Sequence, residues 1–339
     1  MKRLTFLLLA CLTALALTAC GAEKPQEISL FAMDTYMTLA AYGDSADEAL
    51  TAASREINRL EATLSRTIDT SDVSRLNAGE AVVVQPETRA LLERALTLSD
   101  ETGGTFDMTV APLVALWGIT SDAPRVPSQE EIDALLPLVG GEHVHMDDAV
   151  TLDAGCAVDL GGIAKGYASQ QVADILRAHG ITSAVVSLGG NVYVCGSKPD
   201  GTPWNVGIQD PAGSGYAAMV SLTDRFAVTS GGYQRYFEAE DGTVYRHILD
   251  PRTGCPADSD LLSVTIISDD GTAADAYSTA LYVMGEQEAV SFWRAHGGFE
   301  LILITADGRL LYTPGLSDVI TKPEDCAYDF QLLTAQPAA

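Results

Sequence analysis

Apolar and polar residues alternate over 28–42 with a period of two, which predicts strand, and Met33, Asp34 and Thr35 break the alternation in its middle. The period then changes. Ala49, Ala53, Ile57, Leu60 and Leu64 recur at helical spacing behind the capping-box pair Ser45 and Glu48. The polar stretch 65–77 reads as an ordered loop, 81–85 as a short strand, and the next apolar periodicity as a helix with Pro86 in its first turn and Gly103 past its end. A second capping box, Ser128 with Glu131, opens another helix. Over 158–176 a strand end, a glycine turn and a helix start follow within a few residues. Ile163, Tyr167, Val172, Ile175 and Leu176 give that helix its apolar face, and Gly180 stops it.

The second half of the chain is richer in hairpins. A buried strand over 183–188 closes on Gly189, Gly190 and Asn191, a place where backbone comes close to something. Strands follow at 204–209 and 216–223, and the pair 233–239 and 243–249 turns about Asp241 and Gly242. An apolar strand at 262–268 precedes helices at 272–284 and 286–295, a hairpin over 300–312 and an undecorated tail. There is no internal repeat and no long linker. This succession predicts an α+β fold of mixed, largely antiparallel sheets with helices packed against them. The glycine turn lacks a full GxGxxG, which disfavours a Rossmann domain.

Composition changes the picture at the amino terminus. Lys2 and Arg3 precede an apolar run over 4–17 that is too short for a comfortable membrane span and ends in Leu17, Thr18, Ala19, Cys20 and Gly21. This reads as a bacterial lipoprotein signal: residues 1–19 are removed, Cys20 is diacylated, and 20–27 tether a body over 28–325, with a tail at 326–339. The expected location is the outer side of the cytoplasmic membrane, held by the lipid anchor only. The 339 residues carry a net charge of −26, and both Lys2 and Arg3 lie in the leader, so nucleic acid is excluded as a partner. Cys156, Cys195, Cys255 and Cys326 show no CxxC spacing and could form two disulfides or remain thiols.

Against that acidic background the glycine turn stands out. A helix N-terminus leaves backbone N–H groups unpaired and partly positive; Gly161 and Gly162 allow close approach, Lys165 adds a full charge, and Asp159 a carboxylate at the strand exit. Asp275 and Thr279 lie four apart on a predicted helix and share a face. Mg²⁺ takes a few hard oxygen ligands and leaves the rest of its octahedron to phosphate or water. Asp275, Thr279 and a carbonyl at Gly162 would form such a partial cage, with a pyrophosphate at Lys165 completing it. His247, on the neighbouring hairpin, is the natural base for a hydroxyl attacking phosphorus.

Five blocks of the chain resemble the ApbE family of FAD:protein FMN transferases: MDT at 33–35, TFDMTVAPLVALWG at 105–118, DLGGIAKGYA at 159–168, HILDPRTG at 247–254 and ADAYSTAL at 274–281. The resemblance implies two lobes around a flavin-binding cleft, with FAD as substrate. With Mg²⁺, the FMN half would pass through a phosphoester bond to a threonine of an extracytoplasmic electron-transfer protein, releasing AMP. It implies that Met33, Thr105, Phe106, Asp107, Asp159, Lys165 and Leu249 line the FAD site, that Gly162, Asp275 and Thr279 hold the metal, and that His247 is the base with Asp250 in support. Acceptors in the family carry Ser or Thr, Gly, Ala, then Ser or Thr, a pattern absent from this chain, so flavin goes to another protein.

Two departures accompany the resemblance. Asp34 stands where the family often has glycine, and Thr67 falls where many members place an aromatic residue against the flavin. The second opens an alternative, an FAD pyrophosphatase yielding FMN and AMP, beside a third reading as a flavin-binding lipoprotein without turnover.

Overall fold

The computed structural model describes residues 24–334. The leader, Cys20 and the first part of the tether lie outside the described residues, as do the last five residues of the tail.

Nine strands form the central sheet in chain order: β1 Gln26–Ala32, β2 Thr35–Ala41, β3 Ser183–Leu188, β4 Asn191–Gly196, β5 Arg225–Gly231, β6 Leu261–Ser268, β7 Glu300–Thr305, β8 Arg309–Tyr312 and β9 Asp329–Leu332. Every neighbouring pair is antiparallel except β8 and β9. The alternation over 28–42 is thus two strands, with Phe31 opposite Tyr36 and Ala32 opposite Thr35. Met33 and Asp34 form the two-residue turn between them, both at positive φ (49° and 57°), a conformation that non-glycine side chains adopt at a cost. Gly189 and Gly190 make the equivalent turn between β3 and β4. In β6, buried residues run almost without interruption because both faces of the sheet are covered there, which is why its sequence reads as a continuous apolar run.

Seven helices accompany the sheet among the described residues: α1 Ala46–Leu64, α2 Asp72–Asn77, α3 Pro86–Glu101, α4 Ala111–Trp117, α5 Gln129–Leu135, α6 Ala164–Ala178 and α7 Gly271–His296. Three lie side by side on one face: α1 over β1, α7 over β5 and β6, and α6 between the two helices. Their apolar stripes, such as Leu50, Ile57 and Leu60 of α1 and Val172 and Leu176 of α6, merge with the sheet into the main core. On the opposite face a three-stranded sheet, Trp204–Gln209, Tyr216–Leu222 and Ile320–Thr321, encloses a second core of Val206, Ile208, Val220, Ile302 and Ile304. A smaller lobe gathers α4, α5 and the segment after His247 around Leu113, Trp117, Ile132 and Leu249, pinned by Trp117 Nε1 donating to the Gly254 carbonyl at 2.8 Å. The architecture is the α+β, largely antiparallel one predicted.

Several elements differ from the sequence reading. Part of the polar stretch 65–77 is helix, α2, because Ser71 Oγ accepts from the Ser74 N–H at its first turn. The expected strand at 81–85 is a single bridge, Val82 to Val150. Ser128 and Glu131 form the predicted capping box, whereas Ser45 makes no side-chain cap. The two helices expected at 272–284 and 286–295 abut as α7, bent at Gly285 (φ 74°, ψ 178°), where Asp260 Oδ1 accepts the Glu286 N–H at 2.9 Å. Gln26 and Glu27, expected in the tether, extend β1, and the undecorated tail supplies β9. Cys156, Cys195, Cys255 and Cys326 are all free thiols.

Candidate active site

The ends of β1 to β5 and the start of α6 open on one side into a cleft of about 980 Å³, with the smaller lobe as its far wall. Met33, Thr67, Thr105, Phe106, Asp107, Asp159, Gly162, Lys165, His247, Leu249, Asp275 and Thr279, drawn from stretches up to 246 residues apart, all line it. Asp250 does not.

At the floor, α6 meets α7. Helix α6 begins at Ala164 without a side-chain cap, and its Gly166 N–H donates to Asp275 Oδ2 at 2.8 Å. A Cβ on Gly166 would stand 2.3 Å from the Gly271 carbonyl oxygen and 2.5 Å from the Asp275 Cβ, so only glycine lets the helices approach this closely. Asp275 is 3 % exposed, its Oδ1 accepts from Asn191 Nδ2 at 3.2 Å, and it has no ion-pair partner among the described residues. Thr279 sits one turn on, its Oγ1 3.2 Å from Ser230 Oγ. A Cβ built on Gly162 would lie 3.8 Å from Thr279 Oγ1 and 3.2 Å from the Phe106 ring, so the glycine turn, the helix and the aromatic wall converge. Asn191 Oδ1 is buried beside them with no partner. Among the described residues no three His, Cys, Asp or Glu side chains gather as a metal cluster. A cation here would meet one carboxylate, a hydroxyl and backbone oxygen, a donor set suited to a hard divalent ion. A buried carboxylate without a positive partner is the feature such an ion completes.

Above the floor, Lys165 Nζ donates to the Gly161 carbonyl at 2.9 Å, and Asp159 Oδ1 accepts the Gly161 N–H at 2.8 Å. Its other oxygen pairs with Arg66 at 3.0 Å. Asp107 is a scaffold: Oδ1 accepts from the Thr109 N–H at 2.7 Å and Oδ2 from Ser99 Oγ at 2.9 Å, which fixes the loop carrying Phe106. Among the described residues Thr67 hydrogen-bonds Ser65 alone, through its N–H and its hydroxyl.

His247 hangs from Arg235, whose carbonyl oxygen lies 3.1 Å from both its backbone N–H and its Nδ1. With Nδ1–H donating there, Nε2 is left as the free lone pair. The ring edge reaches solvent, yet most of its surroundings are protein. Burial above all, then the charges of Arg235 and Lys165, lower its pKa from 6.5 to about 4, so it is neutral at pH 7. The support expected from Asp250 is not there: its carboxylate is held by Arg252, at 3.0 Å to Nε and 2.9 Å to Nη2, and the orienting group of His247 is the Arg235 carbonyl instead.

Sequence reasoning missed Glu61, Arg66 and Arg235, and it marked Asn191 only as part of a close backbone approach, not for its side chain. Glu61 Oε1 accepts the Met33 N–H at 2.7 Å and so braces the strained turn. Arg235 grips Asp34 from the other side, through the carboxylate at 2.5 Å and the carbonyl at 2.7 Å. The signal for Asn191 was present in the glycine pair before it; Glu61 and Arg235 carry none, since their partners are distant in sequence.

Comparison with known proteins agrees with this geometry. The model of the ApbE family matches residues 33–303. The FAD:protein FMN transferase of Treponema pallidum is 37% identical over 284 residues, covering 77% of this chain and 78% of that one. That of Haemophilus influenzae is 31% identical over 314 residues, covering 86% and 90%. Among solved structures, the ApbE protein of Thermotoga maritima superposes with a TM-score of 0.79 at 34% identity, covering 89% of this chain and 97% of that one. The flavinyl transferase ApbE of Pseudomonas stutzeri gives 0.76 at 31%, covering 89% and 96%. Both the match over most of the length and the cleft into which its five blocks fold say the same thing: the chain belongs to the ApbE family.

Proposed function

We propose that this protein is an FAD:protein FMN transferase that, with Mg²⁺, moves the FMN half of FAD onto a threonine hydroxyl of another protein and releases AMP. One observation carries the reading: the buried carboxylate of Asp275, which has no ion-pair partner among the described residues, lies in the same cleft as the uncapped α6 start, Lys165 and a neutral His247. The names of the relatives support the transfer activity.

The residues divide the work. Lys165 and the α6 N-terminus receive the pyrophosphate of FAD, and Phe106, Met33, Thr67 and Leu249 border the rest of the nucleotide. Asp275, Thr279 and the Gly162 backbone would hold magnesium, which when bound neutralises charge on the phosphoryl group. The acceptor oxygen bonds the phosphorus of the FMN half while its proton passes to Nε2 of His247. The bond from that phosphorus to the bridging oxygen breaks, and AMP leaves with the electron pair. The Arg235 carbonyl keeps the His247 ring in the tautomer this needs.

The protein reads as anchored through Cys20 outside the cytoplasmic membrane, where its acceptors would be electron-transfer proteins. No helix among the described residues is long and apolar enough to cross a membrane.

The test is to incubate the enzyme with FAD, magnesium and an acceptor domain carrying a Thr-Gly-Ala-Thr segment, and to weigh the acceptor. The expected product gains FMN on threonine with one AMP released, and Asp275→Asn loses at least about 100-fold in rate together with its response to magnesium. Equal AMP release without acceptor, and no mass added, would establish the pyrophosphatase instead. Undiminished transfer by Asp275→Asn would remove the metal role.

A further inference from the structure

Among the described residues eight large apolar side chains are strongly exposed, and half of them stand on two hairpins at the cleft mouth. Phe31 and Tyr36, 69 % and 64 % exposed, stand directly opposite across β1 and β2, so both leave the sheet on one face. Tyr236 and Val244 stand on the hairpin of Tyr236–Glu238 and Val244–Arg246, which leads directly into His247. The two hairpins are clasped by the ion pair of Asp34 and Arg235, whose residues both line the cleft, so the strands that carry the four side chains leave from one rim of it. Phe31 itself lines the cleft, which ties the β1–β2 hairpin directly to it. β1 also ends the sheet, and no further strand pairs with it among the described residues, which leaves a row of outward N–H and C=O groups.

We propose that Phe31, Tyr36, Tyr236 and Val244, with the open edge of β1, are the docking face for the acceptor polypeptide, which crosses the cleft mouth in extended form and presents its hydroxyl to His247. This rests on the transfer reading above and names where the partner sits. Exposed tyrosines beside a cleft are the side chains that carry binding energy at protein interfaces. An extended peptide satisfies the β1 edge, which lipid cannot do. The net charge of −26 disfavours an anionic membrane and a second copy of the chain as the occupant.

The experiment compares wild type with Tyr36→Ser/Tyr236→Ser, using the Thr-Gly-Ala-Thr acceptor domain as probe. The variant is expected to raise KM for the acceptor about tenfold while its FAD affinity and thermal midpoint stay as in wild type, and Tyr36→Phe/Tyr236→Phe is expected to recover most of the loss. An unchanged KM overturns the docking face. So does an unchanged KM accompanied by lost binding to phosphatidylglycerol vesicles, which gives the patch to the membrane, or by conversion of a dimer to monomer, which gives it to a second copy. A wild-type enzyme that binds FAD but modifies no acceptor fails at an earlier step, and it takes down the transfer reading and this face with it.

Discussion

Five aspartates border or neighbour the cleft in the sequence blocks, and what separates them is where their oxygens are already committed. Asp34 is spent on Arg235, Asp107 on Thr109 and Ser99, Asp159 on Gly161 and Arg66, and Asp250 on Arg252, whereas among the described residues Asp275 receives two neutral donors. Part of this was legible: an aspartate two residues before Thr or Arg is placed to bond locally, as Asp107 and Asp250 do. The Asp275 contacts join residues 84 and 109 positions away and had no local trace. His247 gives the prediction at this scale. Folding lowers its pKa from 6.5 to about 4, so the unfolded chain takes up the proton first. The stability it contributes is complete above pH 6.5 and is lost as pH falls toward 4. The role of base proposed for it needs the neutral ring, and a pH–rate profile of kcat/KM for FAD is therefore expected to show no step near 6.5 and to fall only as pH drops through about 4. An inflection near 6.5 would mean that the ring titrates as if in water.

The contact of α6 with α7 is the element on which the floor of the cleft depends. Helix α6 was evident from its apolar periodicity and glycine stop, and α7 was read as two helices, yet their closeness was not evident, because it follows from an absent side chain, Gly166, lying against Gly271. Gly166→Ala forces a methyl group into the carbonyl of Gly271 and the Asp275 Cβ, and overpacking of this kind costs about 1–3 kcal/mol. It also pulls apart the Gly166 N–H and Asp275 Oδ2. The variant is expected to unfold at lower temperature and to require more magnesium for half-maximal transfer; a lower midpoint with an unchanged magnesium response would detach the helix contact from the site. β4 shows a different limit of sequence reading. Its turn, Gly189–Gly190, is a hairpin signal that was noted as a close approach of backbone, although a glycine pair at positive φ serves both purposes.

At the scale of the molecule, sheet order and chain order coincide, and this separates function from the carboxyl-terminal edge. The cleft opens on the ends of β1 to β5, while β9 lies four strand spacings beyond β5, roughly 19 Å at about 4.8 Å each. β9 escaped the sequence reading because four residues with a parallel partner give too short a pattern to show a period. It is nevertheless anchored: Tyr328 is buried in the second core with its hydroxyl 2.7 Å from Asp210 Oδ1, and Arg294 holds the Thr334 carbonyl at 3.1 Å. Removing residues 327–339 uncovers the β8 edge and withdraws the Tyr328 ring, whose burial alone stabilises by about 1.5–3 kcal/mol. The truncated protein is expected to melt at least about 4 °C lower and to keep wild-type FAD affinity and transfer rate below its midpoint, as followed by calorimetry and flavin titration. The rigid strands between β9 and the cleft are what should confine the damage to stability. Weakened FAD binding at temperatures where the truncated chain is still folded would mean instead that strain passes along the sheet from its last strand to its first.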